Sequence, residues 1–178
     1  MKLFKTIFAV AAAGAISLSA ADLSAISTAK RWAPYECTVA QDGKGMTVNM
    51  PVDHKGGQKE YPIGWPRLYL TKITPAEKDW SKAKALTFKF KLEFTGKSTK
   101  YPITLQIRTK GPKDVKDKNH PVLIPGIVNN KEITVTIPLD KITNLNNITT
   151  LGVNICERDY KHGENLKFTF SDFKLVEK

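Results

Sequence analysis

Between residues 86 and 94 the chain reads LTFKFKLEF, in which every second residue is leucine or phenylalanine. The intervening residues are threonine, lysine and glutamate. Successive side chains of a β-strand point to opposite faces of its sheet. The alternation therefore predicts a strand with one face in a core and the other in water.

Five further stretches show the same alternation, at residues 46–52, 103–107, 133–137, 151–155 and 166–170. Turn-forming pairs separate them, among them Asp42-Gly43, Gly56-Gly57 and Gly111-Pro112. About eight short strands without a long amphipathic helix favour an antiparallel β-sandwich. We therefore predict an all-β fold, an antiparallel β-sandwich of jelly-roll topology, over residues 35–178.

Two segments depart from the simple alternation. Apolar residues recur at every third position from Leu139 to Ile148, which predicts one or two tight helical turns crossing from one sheet to the other. In the last strand the apolar step from Phe170 to Phe173 is odd, which predicts a bulge at Ser171-Asp172. In a jelly roll we expect residues 32–39 to lie beside this closing strand.

The first 21 residues have the three parts of a secretory signal. Two of the first five residues are lysines, residues 6–16 form a short apolar run, and Ser19-Ala20-Ala21 supplies small residues for cleavage. We predict a signal peptide over residues 1–21, cleaved after Ala20 or Ala21, then a lead-in over residues 22–34. The mature protein is then secreted or periplasmic. No later tract approaches the roughly 20 apolar residues that a membrane span needs.

Cys37 and Cys156 are the two cysteines of the chain. In an oxidising compartment an even number of cysteines suggests a disulfide bridge. The alternative is two separate buried thiols, because free cysteine is among the most buried residue types. The sequence leaves both states open.

The chain carries 28 lysines and arginines against 17 aspartates and glutamates, a formal net charge of +11. Lysines dominate this excess and alternate with apolar residues, as on a solvated sheet face. Nucleic-acid-binding proteins more often cluster arginine and interleave aromatic residues with basic ones. We therefore expect no nucleic-acid partner. The charge keeps an exported protein soluble or favours weak attraction to anionic surfaces and polysaccharides.

Catalytic signatures are few. His54, His120 and His162 stand beside turn or loop residues without the spacing of a metal site, and the sequence has no nucleophile elbow or phosphate loop. Two carboxylates across a cleft suffice for a glycosidase, so a small glycan-active enzyme remains an alternative. The glutamates available for such a pair are Glu36, Glu60, Glu93, Glu132 and Glu157.

Polar and aromatic residues occupy the outward positions of three predicted strands. If Leu68 and Leu70 face the core, then Arg67 and Tyr69 face outward. Sugars stack their apolar faces on aromatic rings and need planar polar partners for their hydroxyls, so these strands predict a concave sheet that binds carbohydrate. The alternative is that Trp65 packs under the loop at residues 61–64 and the arginines only cover the sheet. The predicted ligand-binding residues are Trp65, Arg67, Tyr69, Gln106, Arg108, Asn154 and Arg158.

Three motifs resemble a known family of β-sandwiches. They are Asp79-Trp80-Ser81 followed by Ala85-Leu86-Thr87-Phe88, Ile137-Pro138-Leu139 with Leu145-Asn146-Asn147-Ile148-Thr149, and the closing Phe170-Ser171-Asp172-Phe173-Lys174-Leu175-Val176. The set is similar to the galactose-binding-like β-sandwiches found among carbohydrate-binding modules of bacterial glycosidases. The resemblance covers roughly residues 35 to 176 and implies a jelly-roll fold with a carbohydrate ligand.

The resemblance also implies a structural calcium ion between the N-terminal and closing strands. Its candidate ligands are Asp172 and, as weaker partners, Glu36 and Asp42; calcium takes six to eight oxygen ligands. The alternative is that Asp172 is an exposed residue that caps the turn beside the bulge. Taken together, the sequence predicts an exported, non-catalytic β-sandwich that binds a polysaccharide or oligosaccharide. A periplasmic or surface structural domain that binds a protein partner is the other alternative.

Overall fold

The computed structural model describes residues 21–54 and 66–178, and within these ranges ten strands form two antiparallel five-stranded sheets. The strands are β1 (Ala33–Tyr35), β2 (Thr38–Asp42), β3 (Gly45–Pro51), β4 (Arg67–Leu70), β5 (Ala83–Phe94), β6 (Ile103–Thr109), β7 (Lys118–Leu123), β8 (Glu132–Pro138), β9 (Ile148–Ile155) and β10 (Asn165–Glu177). The first sheet has the order β1-β4-β9-β6-β7 and the second the order β2-β3-β10-β5-β8. The predicted all-β, antiparallel β-sandwich is confirmed.

The chain crosses repeatedly between the two sheets. The connections from β5 to β6, from β7 to β8 and from β8 to β9 each join one sheet to the other, as jelly-roll connections do. Two short 3-10 helices precede β1, at Ser24–Ser27 and Ala29–Arg31, and two more lie between strands, at Pro75–Glu77 and Glu157–Asp159. Within the described ranges no helix is long and apolar enough to span a membrane.

Aromatic side chains of the second sheet fill the core. Phe88, Phe90, Phe168 and Phe170 are all buried, and their neighbouring ring centroids lie 5.1 to 5.7 Å apart. They occupy alternate positions of β5 and β10, which pair with each other. The inner face of the first sheet meets them with aliphatic side chains, namely Leu68, Leu105, Ile107 and Val153.

The predicted lead-in is part of the packed unit. Leu23, Ile26, Ala29 and Trp32 are all buried in the core, and the Trp32 indole Nε1 donates a hydrogen bond to the Ile26 carbonyl at 2.8 Å. The packed domain therefore begins before residue 35. Of the predicted signal peptide only Ala21 lies within the described residues.

Two local expectations meet different outcomes. Residues 139–148 do cross from β8 to β9, but they form separate turns instead of helical turns, with i to i+3 hydrogen bonds from Ile142 N to Leu139 O and from Asn147 N to Asn144 O. The bulge in β10 is confirmed. The register with β5 shifts between Ser171 and Lys174, and Asp172 adopts a φ of 60°.

The expectation that residues 32–39 lie beside the closing strand is wrong. β1 joins the first sheet through β4, and β2 is separated from β10 by β3. The 3-10 helix Ser24–Ser27 contacts β10 instead. Residues 36 and 37, between β1 and β2, carry the chain from one sheet to the other, so this stretch cannot follow a single partner strand.

Cys37 and Cys156 are free thiols. The Cys37 Sγ lies 3.2 Å from the Arg67 carbonyl, to which it donates a hydrogen bond. Burial raises the pKa of Cys37 above its usual value. The structure therefore matches the alternative of two separate thiols.

Candidate functional site

The outer face of the first sheet gathers five of the predicted residues. The backbone register places Arg67 opposite Asn154, Tyr69 opposite Gly152, and Gly152 opposite Gln106. Directly paired residues of an antiparallel ladder point to the same face, and the alternate residues of these strands are buried in the core. We call this surface the polar face and define it by Tyr35, Arg67, Tyr69, Gln106, Arg108 and Asn154.

Tyr35 was not predicted from the sequence. It is paired with Arg67 across β1 and β4, and 49% of its surface is exposed. Its ring lies edge-on to that of Tyr69, with 6.2 Å between the centroids. β1 has only three residues, too few for an alternation to reveal which side chain faces outward.

The Tyr69 ring lies against the backbone of β9 because residue 152 is glycine. An ideal Cβ at Gly152 would lie 2.5 Å from Cε1 and 2.6 Å from Cδ1 of Tyr69. Carbon atoms in contact normally stay about 3.5–4.0 Å apart. The missing side chain of Gly152 therefore provides the space in which the ring lies close to the backbone of β9.

Hydrogen bonds connect the Tyr69 hydroxyl to two buried amides. The hydroxyl donates to Gln106 Oε1 at 3.3 Å, and Gln106 Nε2 donates to Asn154 Oδ1 at 2.8 Å. Gln106 is 9% exposed and Asn154 is 5% exposed. Buried amides that bond to each other are held in one orientation, so this part of the polar face is preorganised.

Two arginines stack on the tyrosine rings. The Arg67 guanidinium lies 4.9 Å from the Tyr35 centroid and 6.0 Å from that of Tyr69. The Arg108 guanidinium lies 5.0 Å from the Tyr69 centroid, and its Nη2 donates to the Tyr69 hydroxyl at 3.3 Å. Rings and guanidinium groups thus alternate across the face, each cation favoured by a ring quadrupole.

Two further ligand-binding residues were predicted, Trp65 and Arg158. Trp65 is outside the described residues. Arg158 is exposed in the 3-10 helix that follows β9, and within the described part of the chain no hydrogen bond joins it to the polar face. Its role in binding stays a prediction.

The predicted calcium ligands do not form a metal site. Asp172 forms an ion pair with Lys174 at 2.8 Å, and this hydrogen bond lowers the pKa of Asp172. Asp42 accepts a hydrogen bond from the Thr47 hydroxyl at 2.9 Å, and Glu36 follows β1 in the other sheet. Across residues 21–54 and 66–178 no group of three or more His, Cys, Asp or Glu side chains is placed to hold a metal ion. The three carboxylates are therefore not gathered into one cluster, and the calcium ion stays a prediction from which we derive no role.

His54 and His162 lie close to each other near the end of β9. The His54 amide donates to His162 Nδ1 at 3.1 Å, and His54 Nε2 lies 2.9 Å from the Glu157 carbonyl oxygen. Glu157 Oε1 accepts the Asp53 amide at 2.9 Å, and burial raises the pKa of Glu157. Most of these contacts involve the backbone. They fix residues 53 and 54 against the turn after β9.

A cleft of about 980 Å³ lies on the other side of the sandwich. Its lining includes Lys44, Lys89, Asp172 and Lys174 together with the N-terminal residues 21–24. None of the polar-face residues lines it. The cleft and the polar face are therefore separate surfaces, and variants in one serve as controls for the other.

Known structures share this architecture at low sequence identity. A family 11 carbohydrate-binding module of the cellulosomal cellulase Lic26A-Cel5E of Clostridium thermocellum superposes with a TM-score of 0.51 and 16% identity, over 83% of this chain and 88% of that one. The chain has the β-sandwich fold of a carbohydrate-binding module. A family 11 module from Clostridium thermocellum in complex with a beta-1,3-1,4-mixed-linked tetrasaccharide also superposes on this chain. The TM-score is 0.51 and the identity 17%, over 83% of this chain and 89% of that one.

The same fold is found within an enzyme. The agarase AgWH50C matches with a TM-score of 0.52 and 9% identity, over 84% of this chain and 24% of that one. The matched region therefore makes up about a quarter of the agarase chain. No protein-family model matches the sequence, and no curated protein matches it either.

Proposed function

We propose that the polar face binds a polysaccharide or an oligosaccharide without cleaving it. The observation that carries the proposal is the ring of Tyr69, which lies close to the backbone at Gly152 and is surrounded by guanidinium and amide groups. A flat ring stacks on the apolar face of a sugar, and fixed polar groups around it bind hydroxyls. Preorganised groups lose little entropy on binding.

The other outward groups extend the same surface. Tyr35 adds a second, more exposed ring at the edge of the sheet. Gln106 and Asn154 offer amide groups beneath the arginines. The module with a bound mixed-linked tetrasaccharide has the same fold, and this supports a carbohydrate as the ligand of the present chain.

A non-catalytic role is supported by the positions of two of the five candidate glutamates. Glycoside hydrolysis generally needs two carboxyl groups on either side of the scissile bond. The described residues place Glu93 beside Lys91 and Lys167 on the second sheet, both at 2.7 Å, and Glu132 on that sheet beside Lys89. Neither of these glutamates belongs to the polar face.

We also propose that the protein is exported. The support is the charged, apolar and small-residue pattern of residues 1–21, together with a fold shared with modules of a cellulosomal cellulase. A polysaccharide ligand is met outside the cytoplasm, which agrees with a secreted or periplasmic location.

Tyr69→Ala should weaken binding to a soluble polysaccharide about 30-fold, the size of an interface hot spot, because the stacking surface is lost. Tyr69→Phe should weaken it only about fivefold, since it loses the hydroxyl hydrogen bonds and keeps the ring. Affinity electrophoresis in gels containing mixed-linkage glucan, agarose, methyl-esterified pectin, polygalacturonate or carrageenan measures both effects.

The matched control for this experiment is Thr136→Ala, an exposed position on the second sheet, which should bind as the wild type does. Wild-type protein that migrates unchanged in all of these gels would contradict the proposal. Equal binding by the wild type and Tyr69→Ala would show that carbohydrate does not bind at the polar face.

A further inference from the structure

We propose that the carbohydrate bound by the polar face is acidic, and that Arg67 and Arg108 bind its carboxylate or sulfate groups. The inference rests on the proposed function and narrows the class of ligand. It starts from the charges that the two sheets present to solvent.

The outward positions of the first sheet carry positive charge without negative charge. The backbone register gives these positions as Ala33, Tyr35, Arg67, Tyr69, Thr104, Gln106, Arg108, Asn119, Pro121, Leu123, Thr150, Gly152 and Asn154. Two arginines are the charged residues in this set, and it contains no aspartate or glutamate. A carbohydrate lying across the sheet would therefore meet two cations with no anion between them.

The second sheet is built differently. Three of its outward lysines have carboxylates nearby: Lys91 and Lys167 each lie 2.7 Å from Glu93, and Lys89 lies 3.6 Å from Glu132. Charges that are matched within the protein offer little to a ligand. Arg67 and Arg108 differ from these three lysines because no carboxylate among the described residues pairs with them.

Arg31 shows how this protein pairs an arginine within its own fold. Its Nη1 and Nη2 donate to the two carboxylate oxygens of Glu77 at 2.6 and 2.8 Å, the two-bond geometry that guanidinium and carboxylate favour. Within the described ranges no such carboxylate pairs with Arg67 or Arg108. Both guanidinium groups lie against Tyr69 instead. Arg108 Nη2 donates to the Tyr69 hydroxyl at 3.3 Å and to Gln106 Oε1 at 3.4 Å, and neither of these neutral groups balances its charge.

Arg108 is also half-buried, and its Nε is buried without a hydrogen-bond partner among the described residues. Removing part of a cation from water is unfavourable unless an opposite charge compensates it. An anion bound at the guanidinium supplies that compensation. A neutral sugar hydroxyl supplies much less.

Carboxylate and sulfate groups can both bind a guanidinium group as anions. Two pairs of polysaccharides, each with an acidic and a neutral member, show which of the two groups the protein prefers. Polygalacturonate and methyl-esterified pectin differ in the charge of the carboxyl group, and carrageenan and agarose are a sulfated and a neutral galactan. We expect the wild type to bind one acidic polymer at least tenfold more tightly than its neutral counterpart, which corresponds to one charge-assisted hydrogen bond. Affinity electrophoresis and isothermal titration calorimetry at about 150 mM salt, where distant charges are screened, measure the ratio.

The double variant Arg67→Gln/Arg108→Gln should remove this preference. Its matched control, Lys44→Gln/Lys89→Gln, removes the same charge from two exposed residues of the separate cleft and should retain it. Equal losses in the two double variants would show non-specific attraction to net charge and overturn the inference.

The wild-type comparison alone keeps the inference falsifiable if the arginine variant does not fold. Binding of neutral and acidic partners with equal affinity would overturn the acidic specificity and leave the proposed function standing. Binding to none of the four polymers, and not to mixed-linkage glucan, would overturn both.

Discussion

Gly152→Ala should weaken carbohydrate binding about 100-fold, more than any single change at a residue that touches the ligand. The added Cβ would lie 2.5 Å from the Tyr69 ring and 3.4 Å from the Gln106 Cβ, so the ring must leave the sheet. Its hydroxyl also contacts Gln106 and Arg108. One methyl group therefore displaces the Tyr69 ring and also disturbs the hydrogen bonds around it. The expected loss of affinity is as large as that of a strong interface hot spot.

The double variant Gly152→Ala/Tyr69→Ala separates this displacement from general unfolding. Any stability lost in Gly152→Ala through overpacking, typically about 1–3 kcal/mol, should be largely recovered when the clashing ring is removed. Binding should not recover. Chemical denaturation and affinity electrophoresis of the same samples test both points. Wild-type affinity in Gly152→Ala would show that the position of the Tyr69 ring is irrelevant to the ligand.

The free energy of unfolding should fall by about 3 kcal/mol between pH 5 and pH 2 because of Glu77 alone. Glu77 is 3% exposed, and its hydrogen bonds to Arg31 hold its pKa at about 2, against an ordinary value of 4.5. One pKa unit corresponds to about 1.4 kcal/mol. Since the folded form binds this proton more weakly than the unfolded form, the stabilisation is complete above pH 4.5 and is lost as the pH falls towards 2.

Urea titrations of the wild type and Glu77→Gln at pH 7 and pH 3 measure this contribution. Glu77→Gln should be less stable at pH 7, because it leaves Arg31 without its counter-charge, and its stability should depend less on pH. Two lysines also lower the pKa of Glu93 to about 2, but this carboxylate lies at the surface, where solvent screens its ion pairs. Glu93→Gln should therefore keep most of the acid sensitivity of the wild type. A parallel loss of stability in wild type and Glu77→Gln on acidification would refute the assignment.

Side-chain alternation predicts the main architecture because it is a property of neighbouring residues. The pattern at residues 86–94 lies in β5, with its leucines and phenylalanines buried. The same parity correctly placed Arg67, Tyr69 and Gln106 on one surface, although they come from strands more than 30 residues apart. Once two strands are known to pair, parity determines which side chains share a face.

Features that depend on pairing partners could not be predicted in this way. β7 has a proline at its centre, Pro121, which is typical of an edge strand and hides the alternation. Tyr35 is brought to the polar face by the pairing of a three-residue strand. The role of Gly152 depends on the Tyr69 ring across the sheet, and nothing in its sequence neighbourhood indicates that contact.

The position of residues 32–39 could not be predicted for a similar reason. A short segment can pair with either sheet, and its own residues do not say which edge is free. The first half of this segment pairs with β4 and the second half pairs with β3. Neither half is therefore paired with β10. The bulge at Asp172 was predictable because an odd apolar step within one strand is a local signal.

A ¹H–¹⁵N correlation titration of the wild-type protein locates the surface that binds carbohydrate. The probes are the mixed-linked tetrasaccharide and tetragalacturonate, added in separate experiments. If the polar face binds carbohydrate, the largest shifts with at least one probe should fall on β4, β6 and β9 and include the side-chain amides of Gln106 and Asn154. Shifts concentrated at Lys44 and Lys89 in the separate cleft, or the absence of shifts with both saccharides at millimolar concentration, would contradict it.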